Sequence, residues 1–179
     1  IHSYHAKFLK FKLSNYGFKV IEIENNKKFF INNDIFINII AADNCDPTLC
    51  YKFTGCAEKS ITKGSQQIDS YAFIGNNKYT LLNINDCPFE LAKFSLKKNL
   101  KNFNKIDLLL TGYGGAGPYP QCFNNLKKNE KRKEASLKKE KFLKMATDYI
   151  DLAQPRYYLP FAGKYVLGGK LAKLNNLRG

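Results

Sequence analysis

The sequence predicts an α/β fold on three observations. Short apolar runs of strand length, Ser70 to Ile74, Tyr79 to Ile84 and Ile106 to Leu110, are each closed by Gly, Asn or Pro signals. Longer segments, from Phe89 to Leu100 and from Asn124 to Ala153, have helical spacing and length. The two kinds alternate in the second half of the chain, the pattern of a sheet with helices packed on it.

With 179 residues the chain reads as a single domain, able to bury about 70% of its unfolded surface. Hydrophobic residues make up 44% and charged residues 25%, and 14 Phe and 11 Tyr supply core bulk in the absence of Trp, which argues against disorder. The longest apolar runs, such as Ile35 to Ala42, fall far short of the ~20 residues that span a bilayer, so no membrane helix is expected. The net charge of +14 invites a nucleic-acid partner. Its Lys residues are scattered along the whole chain, which favours a solvated surface, and the field they make would equally attract an anionic small molecule. Five cysteines, Cys45, Cys50, Cys56, Cys87 and Cys122, form an odd set that points to reduced thiols and a cytoplasmic protein. The spacing of the first three does not match the tight pairs of a zinc ribbon.

In chain order, Ala6 to Leu13 predicts a short amphipathic helix ended by Ser14, Asn15 and Gly17. Phe18 to Glu24 alternates as a strand, and Phe29 to Ile31 and Ile35 to Ala42 give two more around a turn at Asn32 to Asp34, the beginning of a β-meander. Asp43 to Gly64 has few periodic apolar residues and reads as a long loop. Ser70 to Ile74 and Tyr79 to Ile84 form a hairpin about Gly75-Asn76-Asn77. Its second strand runs into Asn85-Asp86-Cys87-Pro88, where Asp86 suits two roles, a helix N-cap or a metal ligand at a strand end.

The helix Phe89 to Leu100 and the strand Ile106 to Leu110 follow, and then the loop TGYGGAGPYPQCF. Gly112, Gly114, Gly115 and Gly117 permit backbone angles that side chains forbid, while Pro118 and Pro120 fix others, so the loop follows a defined path. Tyr113 and Tyr119 offer a ring face and a hydroxyl within it. Such a loop at the carboxyl end of a buried strand is where open α/β sheets place ligands; a structural crossover with the tyrosines packed inward is the alternative. The helical stretch from Asn124 is charged all round in its first half, a solvated face. Only its second half, with Phe142, Met145, Ala146, Tyr149, Ile150 and Ala153, can bury a wide stripe. Pro155 stops it, and RYYLP from Arg156 to Pro160 gives a last strand before the loop Phe161-Ala162-Gly163.

The segments LLNINDC, LLLTGYGGAGPYPQCF, the long basic helix and LAQPRYYLPFAGKYV, in that order, resemble the carboxyl half of a metallo-β-lactamase-fold protein. The branch they resemble contains the CMP-N-acetylneuraminate hydroxylases and their bacterial relatives, over about Ser70 to Tyr165. The resemblance implies an αββα sandwich, of which this chain is the second half and part of the first, incomplete at the amino end. It implies a metal-dependent hydrolase or hydroxylase with zinc or iron, in which Asp86 is the acidic metal ligand. Tyr113, Gly114, Gly115, Gly117 and Tyr119 would line the substrate side, with Arg156 or Lys164 meeting an anionic or nucleotide-linked substrate.

The family's HxHxDH motif is missing. His2 and His5 are the only histidines, and neither Gln66 nor Gln67 supplies the next family His. The last would fall at Phe161 to Gly163, a departure the hydroxylase branch shares. A metal that activates water needs several neutral imidazoles, so this chain is expected to be inactive as a hydrolase, with no bound metal unless other histidines join it. A catalytically dead binding or scaffold module and a basic nucleic-acid binder are the alternatives. A half sandwich would leave one sheet face open, which implies a homodimer.

Overall fold

The computed structural model describes residues 1, 3, 8–42 and 69–179. His2, His5, Cys45, Cys50, Cys56, Gln66, Gln67 and the loop expected from Asp43 to Gly64 lie outside the described residues.

The described residues form a mixed α/β structure around one six-stranded sheet. Its strands are β1 (Lys28–Phe30), β2 (Phe36–Ala41), β3 (Ser70–Gly75), β4 (Thr80–Asn83), β5 (Leu108–Gly112) and β6 (Tyr157–Phe161), and they lie side by side in chain order. The strands from β1 to β4 pair antiparallel as a meander. Helix α2 (Phe89–Leu100) then carries the chain from β4 to a parallel β5, and α3 (Lys128–Ala153) carries it to a parallel β6. Crossovers of this kind are what parallel pairing requires. A short α1 (Phe8–Asn15) precedes the sheet, and a 3-10 helix (Gly169–Leu177) ends the chain.

One face of the sheet is the core face. Phe36, Ile40, Tyr71, Phe73, Leu82 and Leu109 alternate inward from β2 to β5 and meet Leu91, Ala92 and Leu96 of α2 and Tyr149 and Ala153 of α3. Phe103, beyond α2, stacks on Phe73 with centroids 4.2 Å apart, and Phe89 meets Tyr149 edge-on at 5.0 Å. Each fully buried Leu or Phe contributes roughly 1.5–3 kcal/mol. Between sheet and helix a polar pair is satisfied internally: the Tyr71 hydroxyl donates to Ser95 Oγ at 3.0 Å, and the Ser95 hydroxyl donates to Ala92 O.

The other face is apolar too. Ile37, Ile39, Ile74, Leu81, Leu108 and Leu110 occupy its alternate positions and are half-buried, which is why β5 reads as an unbroken Leu run rather than an alternation. At the sheet's edge, Tyr157, Tyr158 and Leu159 of β6 are all more than half exposed. The Tyr157 N–H donates inward to Asp107 O at 3.0 Å, so the N–H positions of Tyr158 and residue 160 turn outward. Residue 160 is Pro and has no N–H, which blunts the edge against a further strand.

Two expectations fail. Phe18 to Glu24 does not form a strand; it has an isolated bridge at Ile23, whose N–H donates to Ile1 O and whose carbonyl accepts the Ser3 N–H. Alternation is the signature of a strand only where a neighbouring strand is there to pair. Nor does Asp86 cap a helix: α2 starts after Pro88, with no side-chain cap.

Candidate functional site

The three parallel strands deliver their carboxyl ends to one edge. Asn83 of β4 pairs with Leu110 of β5, and Gly112 pairs with Phe161 of β6, so the segments after these strands emerge side by side. At Gly112 the chain passes so close to the turn after β4 that an added Cβ would lie 3.3 Å from Asn85 O. This adjacency places Asp86, the glycine loop and residues 161–163 along a single edge.

The turn after β4 is tightly specified. Asn85 has φ 54°, its N–H donates to Asn83 Oδ1 at 2.9 Å, and its Nδ2 donates to Asp86 Oδ1 at 2.9 Å. Asp86 itself is exposed. The next residue, Cys87, is buried, and its carbonyl accepts the Tyr149 hydroxyl of α3 at 2.8 Å. Tyr149 is fully buried; desolvation, and then the neighbouring Cys87, push its phenol well above the ordinary value, so it stays a neutral donor. The stripe that predicted a buried Tyr149 gave no sign of this tie to the strand end 62 residues earlier.

The glycine loop is packed by contacts within the chain itself. A Cβ on Gly114 would collide with the Gly163 backbone, and one on Gly163 with the ring of Tyr113. A Cβ on Gly115 would strike Phe142 of α3. Three of the residues expected on the substrate side, Tyr113, Gly114 and Gly115, are thus also required by contacts within the chain. Gly117 has open space where its side chain would be. Tyr119 is 37% exposed and donates its hydroxyl to Glu134 Oε2 at 2.6 Å, and that bond raises the pKa of the phenol.

Helix α3 grips this loop with a row of charged side chains. Lys131 donates to Gln121 O at 3.1 Å and Lys138 to Tyr119 O at 2.8 Å, with Glu134 between them on Tyr119. The first half of α3 was expected to be a solvated face, yet Lys131, Glu134 and Lys138 are half-buried against the loop. Burial lowers the Lys138 pKa. Gln121, fully buried, donates Nε2 to Gly117 O and to the Tyr165 hydroxyl, both at 2.9 Å, while its Oε1 has no partner among the described residues. Residues 121 and 165 are 44 positions apart, so no local spacing could have joined them.

Among the described residues, no three His, Cys, Asp or Glu side chains come together in a group that could hold a metal ion. Asp86 stands at the edge with Asn85, and the position where the resembled family has its last His is the loop 161–163. Of the other two charged candidates, Lys164 is exposed in that loop. Arg156 lies at the opposite, amino end of β6, with its guanidinium 5.1 Å from the Tyr157 ring. No described helix is long and apolar enough to cross a membrane.

No protein-family model and no curated protein matches the sequence. Among the solved structures similar to this chain are two of one enzyme. One, titled CmlA, a diiron beta-hydroxylase from Streptomyces venezuelae, has a TM-score of 0.46 at 12% identity and matches 84% of this chain and 26% of that one. The other, a mutant of CmlA beta-hydroxylase, has a TM-score of 0.49 at 12% identity and matches 84% of this chain and 27% of that one. The chain spans about a quarter of the length of these structures.

Proposed function

We propose that this chain is a metallo-β-lactamase-fold, metal-dependent hydrolase-like or hydroxylase-related protein. In these residues it acts as a ligand-binding or scaffold module and not as an active hydrolase. The observation that supports the reading is the convergence of Asp86, the glycine loop and residues 161–163 at the carboxyl edge of the parallel strands, where open α/β sheets bind ligands. The sheet, apolar on both faces, also suits a half of a two-sheet sandwich.

The donor set of the described residues does not fit a catalytic zinc or iron centre. Such a centre needs three or more protein ligands, and this edge offers the carboxylate of Asp86. What the edge supplies is a glycine-lined surface with an exposed carboxylate on one side and the exposed Lys164 on the other. Its proposed ligand is an anionic or nucleotide-linked small molecule. A second copy of the chain over the other sheet face is the proposed protein partner, checked by sedimentation; a monomeric mass would remove it. Nucleic acid is the weaker alternative, because the Lys residues are scattered along the whole chain and two of the basic helix, Lys131 and Lys138, donate to loop carbonyls.

Elemental analysis after incubation with zinc, iron and manganese, on the wild type and on Asp86→Ala, tests this reading. Well under one metal per chain is expected in both proteins. One equivalent in the wild type, lost in Asp86→Ala, would overturn the module reading and establish a metal site at Asp86.

A further inference from the structure

The carboxyl-terminal residues 164–179 do not simply trail from β6. Tyr165 reaches the glycine loop: its hydroxyl accepts from Gln121 Nε2 at 2.9 Å and donates to Gly117 O at 3.3 Å. Its ring lies under two cations, Lys138 Nζ at 5.9 Å and the Arg178 guanidinium at 5.5 Å from the centroid. Beyond it, Asn175 closes the segment on itself by accepting from Leu167 N–H at 2.9 Å and donating to Leu167 O at 3.1 Å. Leu177 is buried, and Gly179 lies so close to α3 that an added Cβ would be 2.6 Å from Ala135 O.

Attachment is therefore concentrated at two points, Tyr165 and the Leu177–Gly179 end, while most of the 3-10 helix between them is exposed. Segments with few buried apolar contacts open locally at a fraction of the global stability. The loop carbonyl of Gly117 accepts from Gln121 and Tyr165, and Lys138 lies 3.5 Å away, so it is the point where loop, strap and helix meet.

We propose that residues 164–179 are a strap, latched by the Tyr165 hydroxyl, that sets the conformation of the loop 113–121 and opens it when released. Tyr165 is then a positioning residue, acting on any ligand through Gln121 and Gly117. The proposal rests on the reading of the carboxyl edge as a ligand surface for its meaning, but not for its test, which needs no ligand and no metal.

The test is amide hydrogen exchange, read by mass spectrometry on the full chain, for the wild type, Tyr165→Phe and Leu177→Ala. Tyr165→Phe keeps the ring within reach of its two cations and removes only the hydroxyl. Exchange of the amides in 113–121 is expected to rise about fivefold, the factor that one lost neutral hydrogen bond produces, with β3 and β5 unchanged. Leu177→Ala frees the other end of the strap and should raise exchange in the same loop. Loop exchange unchanged in both variants, while residues 166–178 exchange faster, would show that the strap does not set the loop. An equal rise in the loop, β3 and β5 in both variants would also overturn the proposal, because loop and sheet would then open as one unit.

Discussion

Gly114 and Gly163 show how single residues fix the candidate site, since each marks a place where two backbones, or a backbone and a ring, touch. Gly114→Ala must push its methyl into the Gly163 backbone, which cannot rotate away as a flexible side chain could. The expected cost is about 1–3 kcal/mol, seen as a lower urea midpoint at an unchanged slope. Tyr149→Phe removes the hydroxyl that donates to the Cys87 carbonyl and should cost about 0.5–1.5 kcal/mol in the same assay, the net worth of one hydrogen bond. At the opposite edge of the sheet, Asp107 accepts the Thr80 N–H at 2.8 Å and pairs with Lys105 at 2.9 Å. The Lys105 bond and then the Thr80 amide hold its carboxyl below the ordinary value. A depressed folded pKa adds stability that is present above the unfolded value of about 3.9 and is lost as pH falls through the folded value. The Tm gap between wild type and Asp107→Asn should thus be constant above about pH 5 and shrink below about pH 4. A gap independent of pH would contradict this.

At the scale of elements, what the sequence made legible follows from where each element draws its stability. Helix α2 has the bounds expected from its spacing, because a proline before it and an apolar stripe along it are local signals. Strands β2 to β6 were found within two residues at each end, since their apolar runs are bounded by turn residues. The segment 18–24 carries the same alternation and is no strand, because pairing is a property of neighbours and not of the segment. The 3-10 helix, with one buried residue, left no periodic trace. The site divides in the same way. Its loop was visible through Gly and Pro, which constrain backbone locally, whereas the grips of Lys131, Glu134, Lys138 and Tyr165 join distant parts of the chain. The blunt edge of β6 gives a prediction of its own. Pro160→Val restores an outward N–H beside that of Tyr158 on a strand whose side chains are already exposed, and with rising concentration in sedimentation velocity it should form species larger than those of the wild type. Identical behaviour of the two proteins would mean that Pro160 is not what keeps the edge unpaired.

For the molecule as a whole, the mixed topology accounts for the placement of the proposed ligand surface at one end of the sheet. The antiparallel strands β1 to β4 and the parallel pairs β4–β5 and β5–β6 share one core face, closed by α2 and α3. Only the parallel part sends three consecutive strand ends in the same direction, and Asp86, the glycine loop and residues 161–163 follow from that geometry. The charge of +14 acts over this whole surface and favours an anionic ligand without saying where it sits. A nuclear magnetic resonance titration of the 15N-labelled chain with a nucleoside monophosphate tests the placement most directly. The account predicts that amide shifts move at Asp86, from Gly112 to Gly117 and from Ala162 to Lys164, while those around Asp107 and Arg156 at the amino edge stay still. Shifts that cluster at the amino edge, or none at the carboxyl edge at millimolar nucleotide, would contradict it.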